Sequence, residues 1–83
     1  MDRKSTIRKF LQDLLEARGD NHELSDGTSL FLSGRLQSLD AVEVVMFLEE
    51  KFGVDFAVIG FDQAKIDSVD EINSLLESTE LVK

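Results

Sequence analysis

The sequence predicts an all-α fold, a small four-helix bundle with a long loop between helices one and two and a short third helix. Three observations lead there: apolar residues recur at spacings of three and four, no segment alternates convincingly as a strand, and glycines and capping residues separate the periodic stretches. The 83 residues, read as a single domain over 1–83, allow one modest core and leave little room for a large catalytic cleft.

Helix one is expected over residues 3–18, where Ile7, Phe10, Leu11, Leu14, Leu15 and Arg18 share a face and Gly19 ends the run. Residues 19–37, GDNHELSDGTSLFLSGRLQ, form a polar loop long enough to need packing of its own, with Leu24, Leu30, Phe31, Leu32 and Leu36 available to pin it to the core. Helix two begins at Ser38, carries Asp40 in the first turn, where the helix dipole favours negative charge, and ends at Gly53. An extended stretch, VDFAVIGF, is expected next. Asp62 then caps a brief third helix, DQAKI, and Ser68 with Glu71 forms a capping box ahead of Ile72, Leu75 and Leu76 in helix four.

Helix two, SLDAVEVVMFLEEKF, has more apolar residues than one buried face can take. On a wheel at about 100° per residue with Ser38 at zero, Ala41, Val44, Val45, Leu48 and Phe52 fall between about 240° and 340°, a core stripe of ordinary width. Leu39, Val42 and Met46 fall between about 40° and 100°, with Glu49 near about 20° and Glu43 and Glu50 near about 120° to 140°. Phe47 points to about 180°, beside Asp40 and Lys51. A second apolar strip bracketed by carboxylates has the composition of a docking surface. A central helix is touched on more than one side, so burial competes with exposure for Leu39, in the core, and for Phe47, against the short third helix, more than for Val42 and Met46.

Nine bases face seventeen acids, for a net charge of −8, and the imbalance lies beyond residue 18: residues 1–18 hold five bases and three acids, the remainder four bases and fourteen acids. Such a surface repels nucleic acid and anionic lipid and attracts basic protein patches. The chain has no cysteine, which excludes disulfides, thiolate nucleophiles and Cys-ligated metals. Its longest apolar run, Val44 to Leu48, is far short of a membrane span or a signal-peptide core, so a cytoplasmic protein is expected.

No metal site is predicted: with Gly27 at the sixth position of an EF-hand loop, the first, third and twelfth positions would be His22, Leu24 and Ser33. His22 reads as a solvent-facing loop residue. Arg3, Lys4, Arg8 and Lys9 read as a solvated face or as a grip for an anionic partner. Ser38 has neither a neighbouring base nor a GxSxG elbow around it, so its hydroxyl is suited to be another enzyme's substrate rather than a nucleophile in its own right. Its place where loop becomes helix sets unpaired N–H groups and a positive dipole end beside any phosphate it carries, although a plain N-cap serine would look the same.

The run GRLQSLDAVEVVMFLEEKFGVDF, residues 34–56, resembles the acyl carrier proteins, and chain length and helix order extend the resemblance over effectively the whole domain. The resemblance implies a non-enzymatic carrier that holds an acyl group as a thioester on a covalent 4'-phosphopantetheine arm. It places the attachment at Ser38 and partner recognition on Leu39, Asp40, Val42, Glu43, Met46, Glu49 and Glu50. The implied partners are a phosphopantetheinyl transferase and acyl-transferring or acyl-modifying enzymes of lipid, fatty acid, polyketide or related biosynthesis that bear basic patches, met by a monomer. Gln37 departs from the aspartate the family usually has before the serine, which leaves slow priming, a dedicated transferase or no priming at all open. Lys51 and Phe47 also depart from the major fatty-acid carriers, and GVDFAVIGFDQAKIDSVDEI looks more like carriers of dedicated pathways, D-alanyl carrier proteins included. The competing reading is an acidic helical binding module of the same fold that is never modified.

Overall fold

The computed structural model describes residues 3–82, with side chains described through residue 79. Its elements are α1 (Arg3–Ala17), α2 (Ser38–Phe52), α3 (Phe56–Ile59), a 3-10 helix (Gln63–Ile66) and α4 (Val69–Val82), and no strand occurs among the described residues. Helix α1 buries Ile7, Leu11, Leu14 and Leu15, spaced as a helical stripe requires. Arg18 lies just past its end, in a closing turn where the Asp20 N–H reaches the Leu15 carbonyl at 2.9 Å, and Gly19 supplies the left-handed residue at φ 84°. Helix α2 buries Ala41, Val44 and Leu48, and Val45 and Phe52 pack half-buried against the core, so the predicted inner stripe holds. Gly53, at φ 71°, ends it: its N–H bonds the Glu49 carbonyl at 3.1 Å, and the Val54 N–H bonds the Leu48 carbonyl at 3.4 Å.

The segment expected to be extended after α2 instead makes one helical turn. Asp55 caps it by accepting the Ala57 N–H at 3.0 Å, and the Gly60 N–H closes it on the Phe56 carbonyl at 2.9 Å, with Phe56 buried. Asp62 caps the 3-10 helix as predicted, accepting the Ala64 N–H at 3.0 Å. Ser68 caps α4 by accepting the Glu71 N–H at 3.1 Å, and Ile72, Leu75 and Leu76 are buried behind it.

The long loop is held by apolar anchors and buried charge together. Leu24, Leu30 and Leu36 enter the core and Phe31 packs against it, whereas Leu32, expected to be a fifth anchor, is 89 % exposed. Asp67, at the junction between the 3-10 helix and α4, accepts the Ser29 hydroxyl at 2.6 Å and the N–H groups of Phe31 at 2.7 Å and Leu32 at 3.2 Å. Its own carbonyl accepts the Leu30 N–H at 2.7 Å. The Asp67 carboxylate thus holds the backbone leading into Leu32, whose side chain faces out. Arg35 binds the Asp20 carboxylate through Nε at 2.9 Å and the carbonyls of His22 and Glu23 at 3.1 and 3.2 Å.

The bases of α1 act as staples within the fold. Arg8 bonds Asp26 at 2.7 Å, Lys4 pairs with Asp26 and Asp70 at 3.4 and 2.9 Å, and Arg3 bonds Asn73 at 3.0 Å. They join α1 to the loop and to α4, so three of the four cations read from the sequence as a solvated face or a grip are engaged with side chains of the fold itself while staying partly exposed. Phe47 lies flat on Phe10 of α1, ring centroids 4.0 Å apart, and edge-on to Phe52.

Candidate functional site

The site is built at the entrance to α2. The chain leaves the Asp67 anchor, folds into a turn closed by Gly34 N–H to Phe31 carbonyl at 3.1 Å and Leu36 N–H to Leu30 carbonyl at 2.8 Å, and enters the helix through Gln37. Gln37 is the capping residue, with extended backbone, and its side-chain amide donates back to the Gly34 carbonyl at 3.3 Å. Ser38 is therefore the first helical residue and not the cap. A capping serine spends its hydroxyl on the N–H groups of the first turn. Here the Ser38 hydroxyl is exposed and makes no hydrogen bond to another described residue. Nor are the N–H groups of Ser38 and Leu39 taken by any described residue, which leaves two helix-start donors beside that oxygen.

Asp40 holds this entrance in shape. One carboxylate oxygen accepts the Gln37 N–H at 2.8 Å while the Asp40 N–H bonds the Gln37 carbonyl at 2.8 Å. The other oxygen accepts Arg18 Nε at 2.7 Å, and a second guanidinium nitrogen closes the ion pair. Burial pushes the Asp40 carboxyl up, but Arg18 and the Gln37 N–H outweigh it and hold the group below the usual carboxylate range. At 1 % exposure Asp40 is a structural carboxylate, which corrects the expectation that it offers its charge to partners.

The remaining positions of the expected docking strip are at the surface. Leu39 is 81 % exposed, contrary to the competing core placement, and Val42 and Met46 are 56 % and 52 % exposed. Glu43, Glu49 and Glu50 are exposed around them, Glu43 also lying 3.7 Å from the Arg18 guanidinium. Three large apolar side chains thus stand in water beside three carboxylates, along the part of α2 that runs from Leu39 to Glu50.

An exposed hydroxyl with two unclaimed N–H groups next to it fits a phosphodiester, because the oxygen has no internal bond to break and the donors face the incoming charge. The described residues that surround it include no acid or base in contact with its oxygen. The profile of the phosphopantetheine attachment site family matches residues 5–72, a span that contains the whole entrance to α2. The chain belongs to that family.

As a member it is a non-catalytic carrier whose prosthetic group is covalent 4'-phosphopantetheine. Over 96 % of its length it is 32 % identical to the D-alanyl carrier protein of Lactobacillus helveticus and 30 % identical to that of Lactobacillus acidophilus, covering 98 % of each. No solved structure matches significantly. Among the described residues of the carrier, no helix is long and apolar enough to cross a membrane.

Two residues important to the entrance were not singled out from the sequence. Arg18 registers there only as the last position of helix one, and Asp67 only as one letter before a capping serine. Both act across the fold, on residues 22 and 35 or more positions away, and local pattern carries no sign of that.

Proposed function

We propose that Ser38 bears the 4'-phosphopantetheine arm, and that the strip of Leu39, Val42 and Met46, edged by Glu43, Glu49 and Glu50, docks the enzymes that load and unload it. In arm transfer the Ser38 oxygen forms the new bond to phosphorus. A phosphorus–oxygen bond of a pyrophosphate donor of the coenzyme A type breaks, the nucleotide leaves, and the hydroxyl proton passes to a base of the transferase. Asp40 and Gln37 keep the helix start closed while this happens, and the free N–H groups of Ser38 and Leu39 stand beside the added negative charge. The thiol at the end of the arm then holds an acyl group as a thioester at high local concentration near each partner.

The observation that carries this reading is the free, exposed Ser38 hydroxyl at the first residue of α2. The names of the two Lactobacillus relatives support a D-alanyl thioester as the cargo in preference to a lipid or polyketide chain. The same reading makes the protein a monomer of the cytoplasm. Intact-mass measurement after incubation with a phosphopantetheinyl transferase and coenzyme A is expected to show the arm on the wild-type chain and none on Ser38→Ala, with both chains equally helical. An alanine variant that still gains the arm refutes the assignment. Mass of the protein purified from its own host reads the cargo directly. The competing module that is never modified is favoured by Gln37 alone, and an unchanged wild-type mass under every priming condition would establish it.

A further inference from the structure

The entrance to α2 depends on a residue outside both the helix and the motif. Two hydrogen bonds shape its first turn, Asp40 N–H to the Gln37 carbonyl and Gln37 N–H to the Asp40 carboxylate, and the second is strengthened by the charge on Asp40. That anion is almost out of water, with 2 % of its side chain exposed, and a buried carboxylate is retained only with a cation or several donors. Arg18, in the turn that ends α1, is the one cation against it among the described residues, using Nε and a terminal nitrogen together. We propose that Arg18 is a positioning residue for modification of Ser38: its guanidinium keeps Asp40 charged and in place, and Asp40 in turn holds the backbone from which the Ser38 hydroxyl is presented. The proposal rests on Ser38 being the attachment residue.

The pair has a second consequence for recognition. Because Arg18 consumes Asp40 and lies 3.7 Å from Glu43, the effective negative charge of the strip moves along α2, away from Ser38 and toward Glu49 and Glu50. Docking and presentation thus fall to different residues, and kinetics can separate them. The geometry also calls for arginine rather than lysine, since one planar fork spans the carboxylate while a lysine offers a single point of charge.

The test compares wild type, Arg18→Gln, Arg18→Lys and Ser38→Ala as full chains, with coenzyme A and a phosphopantetheinyl transferase. In Arg18→Gln the Gln37 amide proton is expected to exchange with solvent on the order of tenfold faster, as expected for loss of a charge-assisted bond. The kcat of arm transfer is expected to fall by roughly tenfold while KM stays within about twofold, because the apolar strip is untouched. Arg18→Lys should recover part of both. Unchanged Gln37 exchange and kcat would overturn the proposal, as would a change confined to KM, which would make Arg18 a docking residue. Should Arg18→Gln not fold, Asp40→Ala, which removes the acceptor of the Gln37 N–H as well as the partner of Arg18, reads the same coupling from the other side, and normal Gln37 exchange with normal kcat in that variant is equally fatal. Arm transfer to Ser38→Ala, or none to wild type, removes the attachment reading itself, whereas wild-type transfer that ignores Arg18 removes only this inference.

Discussion

Asp67 offers the sharpest test of how the loop delivers Ser38 to its place. Its carboxylate, 8 % exposed, accepts one hydroxyl and two backbone N–H groups within 2.6 to 3.2 Å, all from residues 29–32. Asparagine keeps the shape and leaves an oxygen for the Phe31 and Leu32 N–H groups, while the Ser29 hydroxyl can turn to accept. What is lost is charge assistance, the difference between about 1.5–3 and about 0.5–1.5 kcal/mol per bond. Two such bonds put the cost of Asp67→Asn at about 2 kcal/mol. Alanine strands all three donors and should cost about 3–5 kcal/mol. Against a total stability of about 4–12 kcal/mol for a chain of this size, the first variant folds and the second is marginal. For a domain of this length, about 2 kcal/mol lowers Tm by about 8–16 °C.

The assay is urea and thermal unfolding of wild type and Asp67→Asn followed by circular dichroism, repeated between pH 7 and pH 3. Burial pushes the Asp67 carboxyl up, but the bonds from Ser29, Phe31 and Leu32 prevail and hold it below its ordinary value. A folded-state pKa below the unfolded one gives stabilisation that is complete above the unfolded value of about 3.9 and is lost as pH falls through the folded value. The gap between wild type and variant should therefore be constant from pH 7 to about pH 5 and shrink below about pH 4. Equal stability at neutral pH, or a gap unaltered by acid, would show that the carboxylate is not what holds the loop.

Two further outcomes follow from the site. The pair Val42→Gln and Met46→Gln keeps good helix formers at exposed positions and should leave stability within about 0.5 kcal/mol while raising the KM of arm transfer on the order of tenfold; unchanged KM would show that the strip is not a docking surface. Gln37→Asp restores the carboxylate that acyl carriers resembling this chain place before the serine, and should speed priming several-fold with a stability change under about 1 kcal/mol, since the gain in capping is opposed by Asp40. A priming rate no higher than wild type, read by intact mass over time, would show that the missing charge does not limit modification.

Much of this fold is legible in the sequence wherever one helical turn carries the information. The inner face of α2, the stop at Gly53 and the cap at Asp62 depend on near neighbours and appear as read, while at Ser68 the serine half of the expected capping box forms, its hydroxyl accepting the Glu71 N–H. The turn at Phe56–Ile59 is missed because four residues are too few to show a helical period, although Asp55 is a capping residue in plain view. Of the two residues for which burial was the competing expectation, Leu39 is in water, while Phe47 packs against the core under Phe10, a residue 37 positions earlier in the chain.

Sequence by itself determined the helical class, the acidic surface, the serine at a helix entrance and the apolar strip beyond it, because periodicity, charge and capping are local properties of a chain. Only the tertiary structure decided which carboxylates are free and which are spent. Asp40 and Glu43 look alike as letters on one helix, yet Asp40 is buried against an arginine from the end of α1 and Glu43 remains at the surface. The physical reason is that the role of a charged side chain follows from its solvation and its partner, and both are set by whichever distant segments the fold brings against it.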